Sequence, residues 1–398
     1  MGMQEEDLPL SGIRVLDLTT VIFGPFAGQI LGDFGADVIK VEAPGGDQTR
    51  AVGASREEGM GALFLGCNRN KRSVVLDLKQ KTHAEALWKL IEGADVLMHN
   101  VRPQKFKTLG FDADTVLARK PSLIYAGLHG FWEEGPYGGM PAYDDVVQGL
   151  SGFAGSFTER DGAPMLAPSV IADKSSGLMA VNGILAALLR RARTGKGGYV
   201  EIGMLEGLTG FNLVEHLQGL NFDPPEGPAG YRRALSPGRR PYKTKDGYIC
   251  ILAYTDKQWA AFWDVVGRAD LAQDERFTTM GSRARNIDAL YDEAGASLEQ
   301  RTSDEWLTLL RKGEIPCGPV NNLGDLPNDP HLQAVNFFRP YDHPSQGKMR
   351  VAETPYKFDR ESLPVRHHHP RLNEHGAEVL REAGCTEDQI RNIIGTEE

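Results

Sequence analysis

Ala36-Asp37-Val38-Ile39-Lys40-Val41-Glu42 is a short run rich in β-branched residues, and it predicts a buried β-strand. A similar run precedes it at residues 13–18, and an apolar segment ending at Leu31 separates the two. Further strand-like runs lie at residues 73–78, 95–98, 122–126 and 199–202, with helical apolar spacing at 84–91 and 175–191. Strands that alternate with helices form right-handed βαβ units. The chain is therefore predicted to be an α/β protein with a Rossmann-like, mainly parallel sheet covered on both faces.

The composition changes after this alternating region, which indicates a second domain. A Pro/Gly-rich linker occupies residues 223–230, and a Pro/Asn/Asp cluster at 326–330 marks a further boundary. The residues beyond that cluster are too few to fold alone, so we expect them to pack back onto the large domain. The predicted organisation is a large Rossmann-like domain at 1–222, a smaller α+β domain at 223–330, and a carboxyl-terminal part of the large domain at 331–398.

Charge and composition exclude several classes of protein. The 398 residues carry 44 Lys and Arg against 54 Asp and Glu, a net charge of −10, which argues against nucleic acid or an anionic membrane as partner. The acidic amino-terminal segment lacks the features of a signal peptide, and the longest apolar stretch, near residues 184–189, is too short to span a membrane. The four cysteines form no CxxC pair and are expected to be reduced. We therefore expect a cytoplasmic protein.

The common cofactor and hydrolase motifs are absent. No GxGxxG follows the first strand, Gly195-Lys196 lacks the rest of a Walker A loop, and there is no Gly-x-Ser-x-Gly elbow. NAD and nucleotide chemistry are therefore not expected. The histidine run at residues 367–369 is interpreted as a surface segment, and His129 and His331 as packed or hydrogen-bonded side chains. No metal site is predicted.

Asp173 admits two interpretations. It follows the apolar run at residues 168–172 and stands immediately before the long predicted helix. A carboxylate there is either a plain helix N-cap or an anion kept ionised by the helix N-terminus and able to attack an activated acyl group. The position of Asp173 alone does not separate these interpretations.

Several further stretches, spread through nearly the whole chain, occur in a fixed order. They are residues 10–17, 35–42, Gly45-Gly46-Asp47 with Arg50, Asn70-Lys71-Arg72-Ser73, Asn100-Val101-Arg102-Pro103, Asp173-x-x-x-Gly177, 183–188, Thr194-Gly195-Lys196-Gly197, 315–320 and 329–332. In this order they resemble the class III coenzyme A transferases (the CaiB/BaiF family), which include formyl-CoA transferase, the carnitine CoA-transferases and the α-methylacyl-CoA racemases.

The resemblance implies an interlocked homodimer in which CoA lies between the large domain of one chain and the small domain of the other. It also implies that Asp173 is the nucleophile, which forms an acyl anhydride and then an aspartyl-CoA thioester. The expected substrates are an acyl-CoA donor and a carboxylic acid acceptor, without metal or NAD. Succinyl-CoA is a plausible donor on family grounds.

The resemblance further implies a set of CoA-contacting residues. These are Val21, Asn70, Lys71, Arg72, Asn100, Val101 and Arg102. The three cations among them suit phosphates. Two basic positions of the family are Ala43 and Thr108 here, and Lys105 and Lys107 are candidates for the missing charge.

Two alternative functions remain at this stage. The racemases place Gly-His-Asp where this chain has Ala142-Tyr143-Asp144, and a tyrosine is poorly matched to a base that must act near neutral pH. Transfer is therefore favoured over racemisation. A non-catalytic CoA-binding protein is disfavoured because Asp173 and its helix are present.

Arg239 and Arg240 are candidates for binding the distal carboxylate of a dicarboxylic substrate, although a solvated loop also accounts for them.

Overall fold

Six parallel strands form the central sheet of the computed structural model, which describes residues 4–395. They are β1 (Arg14–Leu18), β2 (Asp37–Glu42), β3 (Lys71–Val75), β4 (Val96–His99), β5 (Ile124–His129) and β6 (Gly198–Gly203). The sheet order is β3-β2-β1-β4-β5-β6, and every neighbouring pair is parallel. All six residues of β5 are buried, as expected for a strand covered on both faces. The predicted α/β fold is confirmed. Residues 1–3 of the amino-terminal segment considered above lie outside the described residues.

Helices connect these strands. They are α1 (Phe23–Asp33), α2 (Ala62–Leu65), α3 (Lys81–Gly93), α4 (Pro103–Thr108), α5 (Ala113–Arg119), α6 (Asp144–Leu150), α7 (Phe153–Asp161), α8 (Ile171–Thr194) and α9 (Met204–His216). Short 3-10 helices lie at Glu5–Asp7, Gln48–Ala51, Gln218–Asn221 and Leu323–Asn328. No helix within residues 4–395 has the length and apolarity needed to cross a membrane.

A second compact unit has its own small sheet and core. Its antiparallel strands are β7 (Tyr242–Lys243), β8 (Tyr248–Ile251) and β9 (Cys317–Pro319). Its further helices are α10 (Arg232–Leu235), α11 (Asp256–Val265), α12 (Ala269–Ala272), α13 (Met280–Arg285), α14 (Ile287–Leu298), α15 (Ser303–Lys312) and α16 (Pro330–Ala334). Trp259, Trp263 and Trp306 lie in its apolar core. β7 and β8 form an antiparallel hairpin whose turn contains Asp246 and Gly247.

The carboxyl-terminal residues return to the first unit. Their elements are β10 (Phe338–His343), β11 (Gly347–Ala352), β12 (Lys357–Phe358), β13 (Glu361–Ser362), α17 (Gly376–Glu382) and α18 (Glu387–Ile394). Val379, Leu380 and Ile390 pack into the same core as Leu87 and Leu90 of α3.

The free edge of β3 is covered by irregular chain rather than by another strand. The N–H of Val75 donates to Asn373 Oδ1 at 2.8 Å, and the N–H of His375 donates to the carbonyl of Ser73 at 3.0 Å. Backbone groups that a sheet edge would leave unpaired are therefore satisfied within the chain.

The division into units differs from the predicted boundaries. The first unit contains the described residues up to Ser151, with Ala167–Gly210 and the described residues from Asn336 onward. The second contains Gly152–Leu166 and Phe211–Val335, so its longer segment begins within α9 rather than at the linker near residue 223. A continuous helix carries no change in composition, which explains why the sequence placed the boundary later.

Candidate functional site

A cavity of about 300 Å³ opens in the first unit at the carboxyl edge of the parallel sheet. Thr20 and Val21 of its lining follow β1, and Asn100 and Arg102 follow β4. The chain leaves β1 and β4 in opposite directions along the sheet, which makes this a topological switch point, where ligands bind in open α/β sheets. The other lining residues are Phe23, Pro103, Leu128, His129, Gly130, Phe131, Gly139, Met140, Pro141, Ala142, Tyr143, Asp173 and Met204.

Asp173 lines this cavity from the first turn of α8. It is the third residue of the helix, which begins at Ile171 after Val170, and its side chain is not the N-cap. The expectation that Asp173 stands just before the helix is therefore corrected. Among residues 4–395 no group donates a hydrogen bond to its carboxylate, so both oxygens are available for chemistry in the cavity.

Gly177, one turn further along, lets α1 approach α8 closely. A Cβ at Gly177 would lie 3.0 Å from the carbonyl oxygen of Phe23 and 2.9 Å from the ring of Phe26. Only a glycine leaves that space free. The Asp173-x-x-x-Gly177 spacing therefore places the carboxylate beside the start of α1.

Asp144, on the first turn of α6, supports the start of α8. Its Oδ1 accepts the backbone N–H of Asp173 at 3.0 Å, and its Oδ2 accepts Nε2 of Gln148 at 2.6 Å. Burial and the neighbouring Asp144 raise the pKa of Asp173 to about 7. The helix N-terminus was expected to keep Asp173 ionised, but burial and a like charge dominate here.

The loop after β1 is anchored by a buried ion pair between Lys40 and Asp47. Nζ of Lys40 donates to the carbonyl of Thr19 at 2.9 Å and to Oδ2 of Asp47 at 3.0 Å, and both charged side chains are fully buried. Oδ1 of Asp47 accepts the N–H of Val21 at 3.3 Å. Val21 has φ +73°, a conformation that β-branched residues rarely adopt. The lining of the cavity is thus fixed in a strained, anchored conformation.

Asn100 and Arg102 have different environments. The side chain of Asn100 exchanges two hydrogen bonds with the backbone of Thr20, at 2.9 and 3.1 Å, and ties the β4 loop to the β1 loop. Arg102 is exposed and forms no ion pair with any described residue. Val101 packs against the apolar core. Of the predicted CoA contacts, Val21, Asn100 and Arg102 share the cavity with Asp173.

Asn70, Lys71 and Arg72 lie elsewhere, at the amino end of β3. Lys71 is fully buried, and its Nζ donates to Oδ2 of Asp17 at 2.8 Å and to two further oxygens. Burial lowers the pKa of Lys71, although Asp17 opposes this. The amino end of a parallel strand faces away from the carboxyl edge, so its position and its pairing both remove Lys71 from the cavity.

The neighbours of Lys71 are also engaged within the protein. Asn70 donates to Oδ1 of Asp33 at 2.8 Å and accepts the N–H groups of residues 366 and 367. Arg72 forms ion pairs with Asp37, Glu378 and Glu382. Because each of these side chains already has polar partners within the protein, we do not propose them as phosphate contacts.

His129 was expected to be a packed or hydrogen-bonded residue, and the structure places it in the cavity lining. Its Nε2 is buried without a hydrogen-bond partner among the described residues, 3.4 Å from Oε1 of Glu133. Burial lowers the pKa of His129, so the ring is neutral at pH 7. The position of His129 at the end of β5 was the available sequence signal for a site residue.

His129, Glu133 and Glu201 have ligand atoms within 4.8 Å of one another, a spacing that suits a metal ion. Glu133 is exposed, and its Oε1 accepts the hydroxyl of Tyr199 at 2.6 Å. Exposed carboxylates often cluster without a metal, so we do not propose a metal ion at these three residues.

The exposed Lys105 and Lys107 lie on α4, beside Arg102 in the chain.

Comparisons with known proteins give consistent results. The sequence model of the family described as CoA-transferase family III matches residues 10–376. Over 385 residues the chain is 34% identical to succinate--glutarate CoA-transferase of Agrobacterium fabrum, covering 94% of this chain and 95% of that protein. It is 32% identical over 385 residues to succinyl-CoA:mesaconate CoA-transferase of Haloarcula hispanica, covering 94% and 96%. The crystal structure of a CaiB/BaiF family protein from Brucella suis is similar, with a TM-score of 0.79 at 33% identity, covering 94% of this chain and 99% of that chain.

Proposed function

This chain belongs to CoA-transferase family III, and from that premise we propose that it moves coenzyme A from an acyl-CoA donor to the carboxylate of a small organic acid through Asp173. The observation that carries this proposal is the carboxylate of Asp173, free of hydrogen-bond donors, in the cavity at the β1/β4 switch point. Such a carboxylate is a nucleophile with no competing role in the fold.

The proposed reaction has four exchanges at acyl carbons. An oxygen of Asp173 attacks the donor thioester, and the carbon–sulfur bond breaks to leave an acyl anhydride and the CoA thiolate. The thiolate then attacks the aspartyl carbonyl and releases the donor acid, which leaves an aspartyl-CoA thioester. The acceptor carboxylate attacks this thioester and expels the thiolate. Finally the thiolate attacks the acceptor carbonyl, and Asp173 is regenerated as a carboxylate.

The raised pKa of Asp173 has two consequences for this sequence of steps. With a pKa of about 7, half of the groups are ionised at neutral pH, and only the ionised form attacks a thioester. A carboxylate of higher basicity is also the stronger nucleophile when ionised. The thiolate leaves readily because the pKa of a thiol is far below that of an alcohol.

For CoA itself, we assign Arg102 to the phosphates and the backbone around Val21 and Asn100 to the wall of the site. Arg102 is the cation of the cavity lining, and its planar fork matches phosphate oxygens. Asn100 acts by fixing Thr20 rather than by offering a free amide. Lys105 and Lys107 add positive charge nearby.

A dicarboxylic acid is the proposed acceptor class. The similar proteins from Agrobacterium fabrum and Haloarcula hispanica are named for succinate, glutarate and mesaconate, which are all dicarboxylates. We also propose a homodimer, on the strength of the family resemblance. Sedimentation velocity should then give twice the mass of one chain, and the mass of a single chain would contradict the dimer.

Proton transfer at the α-carbon of an acyl-CoA is the second candidate, favoured by one observation. The neutral imidazole of His129, with Nε2 unpartnered, lines the same cavity as Asp173. Two such groups on opposite sides of an α-carbon would suit a racemase. Tyr143 occupies the racemase histidine position, and it is 64% exposed.

The test is intact-protein mass spectrometry after acid quenching. Wild type, Asp173→Ala and the control Asp145→Ala, which removes the exposed neighbour of Asp144, are incubated with succinyl-CoA, glutaryl-CoA and acetyl-CoA. An acyl- or CoA-sized adduct on wild type and on Asp145→Ala, but not on Asp173→Ala, supports the transferase. Absence of any adduct, together with solvent deuterium incorporation at the α-carbon, would establish the racemase instead.

A further inference from the structure

A separate cavity of about 280 Å³ lies within the second unit. Arg233 of α10 and Arg239 and Arg240 of the following turn line it. Its other lining residues are Pro241, Tyr242, Cys250, Ile251, Leu252, Ala253, Trp259 and Tyr291. Three guanidinium side chains around one small cavity create a concentrated positive potential.

None of these three arginines forms an ion pair with a carboxylate of residues 4–395. Several other arginines of the same unit form such pairs, whereas Arg285, Arg301 and Arg311 have none among residues 4–395. Arg232 pairs with Asp288, Arg268 with Asp270 and Glu293, Arg276 with Asp274, and Arg283 with Asp256. The unit therefore neutralises these four guanidinium groups but leaves the three at the cavity without a counter-ion.

The turn that carries Arg239 and Arg240 is held in place. Oγ of Ser236 donates to Oδ1 of Asp288 at 2.6 Å and accepts the N–H of Gly238 at 3.2 Å. The N–H of Arg239 donates to the carbonyl of Ser236 at 3.0 Å. A Cβ on Gly238 would lie 2.6 Å from Cβ of Tyr291, so the turn packs directly on α14. An ordered turn reduces the conformational entropy lost when a ligand binds.

The walls of the cavity supply neutral donors and apolar surface. Tyr242, Trp259 and Tyr291 are each at least nine-tenths buried. Burial raises the pKa of both tyrosines, so their hydroxyls stay protonated. The guanidinium of Arg233 lies 5.9 Å from the ring centroid of Tyr254. A small anion with an apolar body fits this combination of charge and surface.

We propose that this cavity is an anion-binding site for a carboxylate or phosphate group of a small-molecule ligand, held by Arg233, Arg239 and Arg240. The existence of the site does not depend on the proposed function. The choice between its two sources, a dicarboxylic acid and a phosphate of CoA, does rest on the proposed function.

The test is isothermal titration calorimetry of the full chain with glutarate, with pentanoate and with adenosine 3′,5′-bisphosphate. The variant is Arg239→Gln/Arg240→Gln. The matched control is Arg232→Gln, which removes a neighbouring arginine that already has a carboxylate partner. We expect the affinity of the double variant for at least one dianionic probe to fall about tenfold or more, and that of the control to stay unchanged. Loss for glutarate identifies a carboxylate site, and loss for the bisphosphate identifies a phosphate site.

Two further variants test the role of the guanidinium groups and the independence of this site from Asp173. Arg239→Lys/Arg240→Lys retains the charge without the planar fork and should bind between wild type and the glutamine variant, with an unchanged thermal unfolding midpoint. Asp173→Asn should lose covalent adducts but keep the arginine-dependent binding, which separates failure of the proposed function from failure of this site. Equal affinities of wild type and the glutamine variant for both dianions would overturn the proposal.

Discussion

Asp144 accepts the backbone N–H of Asp173 through Oδ1 at 3.0 Å, so the carboxylate that completes the first turn of α8 also raises the pKa of the proposed nucleophile. One contact thus combines a structural role with an electrostatic one. The two roles can be separated, because asparagine keeps an oxygen acceptor and removes the charge.

Asp144→Asn should move the acidic limb of adduct formation to lower pH. Removal of the like charge lowers the pKa of Asp173 below about 7, and the shift expected for a close like charge is about one pH unit. The rate of adduct formation, followed by quenching and mass spectrometry across the neutral range, measures it. Asp145→Asn changes an exposed neighbour and should leave the limb in place, and an identical limb in Asp144→Asn would contradict this electrostatic role.

Asp173→Asn should stabilise the fold at alkaline pH while abolishing adducts. The folded-state pKa of about 7 lies above the ordinary 3.8, so ionisation of Asp173 destabilises the folded state progressively between those two values. The gain from asparagine should approach about 4 kcal/mol above neutral pH as an upper bound, and vanish below about pH 4. Urea unfolding of both proteins at acid and alkaline pH tests this, and a gain independent of pH would argue against it.

Substitution of Lys71 should lower stability, whereas substitution of Arg102 should lower the affinity for CoA. Lys71→Met leaves Asp17 buried without its cation and should lower the free energy of unfolding by about 3–5 kcal/mol. Adding Asp17→Asn should restore part of that loss. Arg102→Gln should leave stability within about 0.5 kcal/mol and weaken CoA binding about tenfold. Chemical denaturation and calorimetry on the same samples provide both readings. Weak CoA binding by a fully stable Lys71→Met would return Lys71 to the list of CoA contacts.

Gly177→Ala should push α1 away from α8 and lower the stability of the protein. Its Cβ would crowd the carbonyl of Phe23, and overpacking of this kind lowers stability by about 1–3 kcal/mol. The rate of adduct formation should fall with it, because Asp173 shares this turn. Gly210→Ala is the matched control, since a Cβ there meets nothing within 4 Å and favours the helix. Equal stability of the two variants would show that α1 has room to adjust.

Much of the large domain could be predicted from sequence because its strands are apolar and bounded by turns. The third strand was predicted at residues 73–78 but lies at residues 71–75, because Lys71 and Arg72 have a composition typical of a loop. Asp17 of β1 pairs with Lys71, and Asp37 of β2 pairs with Arg72, which allows both cations into the sheet. Pairing between distant residues leaves no local signal.

Asp173 was predicted as a site residue and lines the cavity, but the residues that support it were not predicted. Asp173 was expected before the helix, yet Asp144, 29 residues away in sequence, provides the acceptor for its N–H. Lys40 and Asp47, which anchor the loop of Val21, were not predicted as supports of the site either. The apolar pattern of β2 predicts that Lys40 is buried, but it does not indicate what Lys40 contacts. The tertiary fold brings these groups to the site, and residue type alone does not reveal this.

The covered edge of β3 has a consequence for synthesis of the protein on the ribosome. Val75 and Ser73 find their partners at Asn373 and His375, and Arg72 finds its carboxylates at Glu378 and Glu382. A nascent chain that has already made all six strands still exposes an unpaired edge until residues 373–382 emerge. A premature stop codon ahead of these residues would therefore leave a strand near the beginning of the protein uncovered and prone to aggregation.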